Sequence, residues 1–361
     1  MLAALVMTLG MTSACSSSVV NEDGTITLRL VSGLSSQHGW YVGTVEPWMD
    51  RVVELTDGKV EFETFTGGEL IETPEESEAI MNGAADVALM MPIYSPDQFP
   101  LSEVTMLPLQ YSDPMIMTKA WQALLQSDVE LDNGKTFYES MFGEKGMKVW
   151  PVGEGGAYAI STTGKTLESV DDVESLALRT PSRIQEMYAA NTNFSSVTMP
   201  AVEMFDALSK GAFDGAFYSI ADWSGYGFQD LFTYTVTDIN FGHFNGLIGM
   251  SEETWNELPA DVQDAMEQAL QEVIFDGAQL WVDRQAEMIE YSEANGGTFT
   301  SFHDLPAEVQ DKMLGGINQT WTDYVTTLED QDQPGESLAK LWSELIVEAG
   351  GEVPEGIDVL Q

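Results

Sequence analysis

Hydrophobic and polar positions recur along the chain with two periods, one typical of strands and one typical of helices. Residues 25–31 alternate and are β-branched, which predicts a strand, and apolar residues between 40 and 55 recur at helical spacing. Residues 84–91 are almost wholly apolar, as expected for a buried strand of a parallel sheet. Strands and helices continue to alternate up to residue 250, and this succession predicts an α/β fold.

The pattern becomes helical in the C-terminal third. Apolar residues continue at helical spacing over residues 259–294, a long helix for a globular protein, which predicts that it crosses between two domains or bends. We therefore predict two α/β lobes with a cleft between them that binds a small molecule. The predicted segments are a signal and tether (1–24), lobe I (25–153 with 247–280), and lobe II with the C-terminal helices (154–246 with 281–361).

The charge of the chain is strongly negative. Its 361 residues include 59 Asp and Glu against 14 Lys and Arg, a formal net charge of −45. This argues against a nucleic-acid binder, which needs clustered basic side chains, and against binding to an anionic membrane through the protein surface. The hydrophobic fraction of 43% predicts a folded core. We attribute the acidity to a saline environment, in which ions screen the self-repulsion; cation binding is the alternative.

The N-terminus has the layout of a bacterial lipoprotein signal. An apolar run over residues 1–11 is too short to span a bilayer and is followed by Thr12-Ser13-Ala14-Cys15. We predict that Cys15, the only cysteine, is lipidated and becomes the mature N-terminus of a periplasmic or otherwise extracytoplasmic protein. The lipid would be its only attachment to the membrane. A frayed apolar terminus is the alternative.

Sequence motifs for metal or cofactor chemistry are absent. One cysteine and three dispersed histidines do not form a zinc motif, and there is no glycine-rich phosphate loop or G-x-S-x-G nucleophile elbow. The acidic stretch 128–134 has the wrong spacing for a calcium loop and favours a turn. We predict no cofactor, no metal and no enzymatic activity. A serine or paired-carboxylate hydrolase remains the alternative.

Arg179 is the first candidate for ligand binding. It is one of only five arginines and ends an apolar strand, directly before Pro181 and a helix that we predict from Ser182 onward. Ligands of α/β sheets bind at the carboxyl ends of strands, and a guanidinium matches a carboxylate with two parallel hydrogen bonds. An ion pair with one of the many acidic side chains is an equally good interpretation of this position.

Several different short motifs follow one another along the chain. Each is weak evidence of a family by itself, but their order is specific. They include NGAADV at 82–87, LALRTP at 176–181, MPAVE at 199–203 and ALSKGAFDG at 207–215. In these motifs, nearly all of the chain after residue 25 resembles the solute-binding proteins of TRAP (tripartite ATP-independent periplasmic) transporters, the DctP-like family.

The resemblance implies a two-lobe periplasmic-binding-protein fold with a long interdomain helix. It also implies capture of a small organic acid, pairing of Arg179 with the ligand carboxylate, and delivery to the membrane permease subunits of a TRAP transporter. Many members carry a second arginine on the first strand of the second lobe, where this chain has none between Gly155 and Ile160. Since a C4 dicarboxylate needs two charge partners, we expect a monocarboxylate.

The other candidate ligand contacts lie on loops at the ends of predicted strands. Tyr218 follows Asp214-Gly215, at a position from which members of the family often reach the ligand. Aromatic rings with few polar groups suit an acid with a bulky or apolar body, although each ring could instead pack in the core and His243 could satisfy a buried hydrogen bond. The remaining candidates are His38, Trp40, Tyr41, Glu69, Tyr94, Glu154, Asp222, Trp223, Phe241, His243 and Asn245.

Other functions are compatible with the same residues. An amino-acid receptor needs an acidic partner beside Arg179, and Glu69, Glu154 or Asp222 could supply it. A sensor that signals to a membrane kinase would also use a two-lobe cleft, as would an extracytoplasmic enzyme on the same scaffold.

Overall fold

The structure of the chain, a computed structural model, describes residues 19–21 and 23–360, and the predicted lipidation site Cys15 lies outside them. Strands and helices of these residues form two sheets joined by helices, so the predicted α/β fold class is confirmed. The strands are β1 (Ile26–Ser32), β2 (Val60–Phe65), β3 (Val87–Met90), β4 (Met147–Pro151), β5 (Tyr158–Thr162), β6 (Ala177–Thr180), β7 (Ser195–Thr198), β8 (Gly215–Ser219), β9 (Tyr234–Thr237), β10 (Leu247–Ser251) and β11 (Thr298–Ser301).

Helices connect most of these strands, and a π-helical turn over Tyr41–Val45 directly precedes the first one. The α-helices are α1 (Glu46–Leu55), α2 (Glu76–Met81), α3 (Pro114–Leu125), α4 (Phe137–Met141), α5 (Val170–Ser175), α6 (Arg183–Thr192), α7 (Ala201–Ser209), α8 (Trp223–Tyr226), α9 (Glu252–Glu257), α10 (Ala260–Ala294), α11 (Ala307–Glu329) and α12 (Gly335–Ala349).

The first sheet has the strand order β2-β1-β3-β10-β4. β1 runs parallel to β2 and β3, whereas β10 runs antiparallel between β3 and β4. The predicted burial of β3 is confirmed, because all four of its residues are buried. The predicted parallel pairing of β3 is found on one edge only. On its other edge lies β10, which follows the strands of the second sheet along the chain and runs antiparallel to β3.

The second sheet has the strand order β11-β9-β5-β8-β6-β7. β6 runs parallel to β7 and β8, and β5 runs antiparallel between β8 and β9. The short strand β6 therefore lies inside the sheet, and Arg179 stands near its carboxyl end with no exposed surface. The chain passes between the two sheets three times, after β4, after β9 and after β10.

The long helix α10 was predicted over residues 259–294 and is found as 35 residues from Ala260 to Ala294. It contacts α1 and α3 on the side of the first sheet and the turn after β8 on the side of the second. Hydrogen bonds fix it along its length: Trp48 Nε1 donates to the Met266 carbonyl at 3.0 Å, and Trp281 Nε1 donates to the Gly153 carbonyl at 3.1 Å.

Close backbone packing places α10 against the π-helical turn. A Cβ atom on Gly277 would lie 2.2 Å from Thr44 Oγ1 and 2.7 Å from the Gly43 carbonyl oxygen, so only glycine fits there. The segment that links β4 to β5 packs on the same part of the helix, where a Cβ atom on Gly153 would lie 2.4 Å from the Ala278 amide nitrogen.

The two C-terminal helices pack on different neighbours. Helix α11 lies on α6, which follows β6, whereas α12 lies on α3 and α11. Among the described residues, no helix is both long enough and apolar enough to cross a membrane.

Candidate ligand-binding site

A cavity lies between the elements of the two sheets. Its walls come from the loops after β1 and β3, the ends of β5 and β8, and one residue of α10. Five predicted contact residues line it together: His38, Trp40, Tyr94, Tyr218 and Asp222.

Aromatic rings form most of the cavity wall. The Phe244 ring lies 4.8 Å from the Tyr94 ring, 6.2 Å from the Trp40 ring and 6.3 Å from the Tyr158 ring, measured between centroids. Trp281 closes the wall from α10, with its ring 6.4 Å from that of Trp40. These flat apolar surfaces suit a ligand whose body is itself a ring.

Arg179 lies behind this wall, in contact with Tyr218. Its guanidinium carbon is 5.8 Å from the centre of the Tyr218 ring, and its side chain has no exposed surface. Nε donates to the Met199 carbonyl at 2.9 Å and Nη1 to the Phe217 carbonyl at 3.3 Å, whereas Nη2 is buried with no hydrogen-bond partner. Arg179 also acts on the nearby Tyr158 hydroxyl group, because it opposes the rise in the Tyr158 pKa that burial causes. A guanidinium held at two corners is preorganised for one more acceptor at its third nitrogen.

Arg179 also has no carboxylate within ion-pair distance among the described residues. Arg29, Arg51 and Arg183 each contact a carboxylate at 2.9 Å or less. In a chain with 59 acidic residues, a fully buried arginine without an acidic partner is unexpected, because a buried charge is costly when it is left uncompensated. The structural ion pair considered from the sequence is therefore not found in this part of the chain.

A buried carboxylate, that of Asp222, lies at the hydroxyl group of Tyr218. The Tyr218 hydroxyl group donates to Asp222 Oδ2 at 2.5 Å, and Oδ1 of the same carboxylate is buried without a partner. Burial first, and then the neighbouring Asp222 charge, raises the pKa of Tyr218 well above its usual range, which keeps the hydroxyl protonated as a donor. His38 Nε2 approaches the same oxygen at 3.5 Å.

The remaining predicted contacts lie outside the cavity wall. Tyr41 belongs to the π-helical turn, Glu69 is exposed, and Trp223 packs against Phe232. Phe241 packs against Tyr188 and Phe217, in the core of the second half, and Asn245 donates to the Ser102 carbonyl at 2.9 Å and to Thr105 Oγ1 at 3.0 Å.

His243 is held in a buried hydrogen-bond network. Its Nδ1 donates to the Gly155 carbonyl at 2.8 Å, and its Nε2 contacts Ser112 Oγ at 2.5 Å. Burial lowers the pKa of His243 to about 4, so the ring is neutral near pH 7 and accepts from the serine through Nε2.

Glu154 is also fully buried, in the segment that crosses between the sheets. Its amide donates to Thr118 Oγ1 at 2.8 Å, and both carboxyl oxygens lack a hydrogen-bond partner. Burial raises the pKa of Glu154 well above its usual range, which disfavours the charged form that a counter-charge for a ligand would need.

Sequence reasoning missed several residues of the wall. Phe244 lies between the predicted contacts His243 and Asn245, and Tyr158 is on the strand where many members of the family carry a second arginine. Trp281 was assigned to the apolar face of the long helix, where spacing does not show that part of the face reaches a cavity. Among the described residues no group of three or more His, Cys, Asp or Glu side chains is arranged to hold a metal ion.

Two sheets joined by a long helix, with a ring-lined cavity and a buried arginine between them, define a protein built to enclose a small ligand. The chain belongs to family 7 of the bacterial extracellular solute-binding proteins, DctP, whose profile matches residues 31–324. The predicted family and two-lobe fold are thereby confirmed.

Relatives support the same assignment. A solute-binding protein of Albidiferax ferrireducens is 23% identical over 320 residues, which cover 80% of this chain and 88% of the relative. The C4-dicarboxylate-binding periplasmic protein DctP of Rhodobacter capsulatus is 23% identical over 282 residues, 77% of this chain and 78% of the relative.

Solved structures show the shared fold. A TRAP solute-binding protein from a marine metagenome, specific for aromatic acids and crystallised with 3-hydroxybenzoate, has a TM-score of 0.78 at 20% identity and covers 90% of this chain and 99% of its own. One from Rhodoferax ferrireducens with copurified benzoate has a TM-score of 0.75 at 19% identity, covering 90% and 98%.

Proposed function

We propose that this chain captures a small aromatic monocarboxylic acid and that Arg179 binds its carboxylate. The observation that carries the proposal is the free Nη2 of a fully buried arginine that lies against the cavity wall and has no acidic partner among the described residues. A ligand carboxylate would supply the missing acceptor and neutralise the buried charge.

The walls of the cavity favour an aromatic body. Rings of Trp40, Tyr94, Tyr158 and Phe244 surround the space, and the two solved structures described above hold benzoate and 3-hydroxybenzoate. The C4 dicarboxylate named for the Rhodobacter capsulatus relative is a poorer match. Arg179 behind the wall would take one carboxylate, and among the described residues no lysine or arginine lines the cavity to receive a second.

We infer that the ligand is enclosed by a hinge motion of the two lobes and is not chemically altered. The predicted lobes, 25–153 with 247–280 and 154–246 with 281–361, each contribute strands to a different sheet, and the segments that link the sheets run beside α10. The closed form would then be recognised by the permease subunits of a TRAP transporter.

The test is calorimetric titration of the protein with benzoate and hydroxybenzoates in concentrated NaCl. Arg179→Ala should weaken binding by about tenfold or more, the cost of losing a charged hydrogen bond. Arg51→Ala is the matched control, because Arg51 pairs with Glu54 and Glu272 on the surface and is remote from the cavity. Equal affinity of wild type and Arg179→Ala would refute the assignment.

We further propose that Cys15 is lipidated and anchors the protein outside the cytoplasm. Its sequence context supports this, since a short apolar run and small residues precede it. In a native-like host, the wild-type protein should fractionate with membranes and Cys15→Ser should not, whereas membrane association of both proteins would contradict the anchor.

A further inference from the structure

Arg179, behind the cavity wall at the face of the Tyr218 ring, and Asp222, in the wall at the hydroxyl group of that ring, are called here the two polar ends of the site. Asp222 lines the cavity, is 6% exposed, and has one oxygen without any partner. Ser219, which also lines the cavity, is 4% exposed and its hydroxyl group likewise has no partner. Two buried polar atoms of residues that line the cavity, Asp222 Oδ1 and Ser219 Oγ, therefore have no hydrogen-bond partner, which is costly unless a ligand bonds to them.

No lysine or arginine of the described residues lies within ion-pair distance of Asp222. Among the described residues, the only basic side chain within ion-pair distance is His38, whose Nε2 is 3.5 Å from Oδ2. His38 Nδ1 accepts the Trp40 amide at 3.2 Å, which places the hydrogen of a neutral ring on Nε2, towards Asp222. The His38 ring and the Tyr218 hydroxyl group both lie next to Oδ2, and together they fix the orientation of the Asp222 carboxylate.

The two polar ends differ in what they accept. Arg179 contacts the face of the Tyr218 ring, and Asp222 contacts the hydroxyl group of the same ring. A ligand carboxylate is attracted to Arg179 and repelled by Asp222, so a second carboxylate at the Asp222 end is disfavoured. A hydrogen-bond donor at that end is favoured, because it satisfies a buried acceptor.

We propose that the natural ligand is an aromatic monocarboxylic acid that carries a hydrogen-bond donor, a hydroxyl or amino group, on its ring, and that Asp222 receives this donor. The inference rests on the proposed function, since it takes the carboxylate to lie at Arg179. Asp222 is thus a specificity-determining residue at the end of the cavity away from the arginine.

The experiment compares matched acids by calorimetry on the wild-type protein. The 3- and 4-hydroxybenzoates and the 3- and 4-aminobenzoates are each compared with benzoate and with the corresponding methoxybenzoate, which keeps the oxygen but cannot donate. At least one hydroxy or amino acid should bind about tenfold tighter than benzoate and than its methoxy analogue, as expected for a hydrogen bond to a charged acceptor. The preference for hydroxy or amino compounds distinguishes the two donors.

A variant assigns the preference to Asp222. Asp222→Asn keeps the shape of the side chain and can still accept from Tyr218, but it removes the negative charge. The preference for the donor should fall to about threefold or less, because a neutral acceptor forms a weaker bond. The preference is the ratio of two affinities measured on the same protein, so a change in benzoate affinity common to all the acids does not affect it. Asp230→Asn is the control, since Asp230 accepts from the Tyr291 hydroxyl group at 2.8 Å in the same kind of pair at an exposed site.

The outcomes separate the two proposals. Binding of benzoate and all substituted acids within threefold of one another in the wild type would overturn this inference and leave the role of Arg179 intact. A donor preference that persists in Asp222→Asn would also overturn it. Failure of every aromatic acid to bind the wild-type protein would overturn the proposed function itself.

Discussion

The guanidinium carbon of Arg179 lies 5.8 Å from the centre of the Tyr218 ring, and the hydroxyl group of that ring donates to Asp222 at 2.5 Å. One tyrosine therefore separates a buried cation from a buried carboxylate. Neither group has an Arg, Lys, Asp or Glu partner within ion-pair distance in the described part of the chain. A cavity with two such ends can orient a ligand as well as hold it.

Arg179→Lys should weaken binding of the acid although it keeps the positive charge. Arg179 donates from Nε and Nη1 to the Met199 and Phe217 carbonyls and presents Nη2 to the ligand. One ammonium group cannot reach all three acceptors. We expect a loss of about threefold to fivefold by calorimetry, smaller than that of Arg179→Ala. Wild-type affinity in the lysine variant would show that charge alone is sufficient.

Glu103 and Arg183 join the two halves of the protein by a buried ion pair. Glu103 is 1% exposed and accepts from Arg183 Nε and Nη2, each at 2.6 Å. Burial raises the pKa of Glu103, and the Arg183 charge opposes that shift. Glu103→Gln should lower the free energy of unfolding in urea by about 2–3 kcal/mol, because it leaves a partly buried guanidinium unpaired.

The control for that variant is an exposed pair of similar length. Glu144 accepts from Lys135 at 2.6 Å on the surface, and Glu144→Gln should cost less than about 1 kcal/mol. Equal losses in the two variants would mean that burial does not strengthen the Glu103 pair.

Glu76 should make the stability depend on pH. It is 1% exposed and accepts from the Gly33 amide at 3.1 Å and from Thr73 Oγ1 at 3.0 Å. Burial raises the pKa of Glu76 to about 7, from an ordinary value of 4.5. Between these values the folded protein binds the proton more tightly than the unfolded chain, so the free energy of unfolding falls as pH rises, by about 3 kcal/mol in total.

Glu76→Gln tests this effect because its amide does not ionise. Relative to wild type, the variant should gain stability as the pH rises from 5 to 8, measured by urea unfolding at constant salt. Glu78→Gln on the exposed face of the same helix should show no such gain. Parallel pH profiles of Glu76→Gln and wild type would contradict the assignment.

Salt should stabilise the protein because its formal net charge is −45. The screening length falls from about 10 Å at 0.1 M to about 3 Å at 1 M, which weakens repulsion between surface carboxylates. We expect the melting temperature to rise steadily over this range, equally in NaCl and KCl. A flat response would contradict the saline adaptation, and a difference between the two salts would indicate specific cation binding.

Much of the fold followed from local patterns. The helix predicted over 259–294 is found from Ala260 to Ala294, and the buried strand predicted over 84–91 is found as Val87–Met90. Both depend on the spacing of apolar residues, which is a property of neighbouring positions. The antiparallel entry of Leu247–Ser251 beside that strand is a contact between distant segments and left no local signal.

The sequence by itself determined the α/β class, the long helix, the excess of acid and the choice of Arg179, because composition, periodicity and motif order are readable along one dimension. Only the tertiary structure decided which candidates meet. It brought His38, Tyr218 and Asp222 to one cavity, placed Glu69 on the surface, and buried His243 and Glu154 where burial disfavours their charged forms. The surroundings of a side chain depend on segments far away in sequence, and those surroundings set both its charge and its access to a ligand.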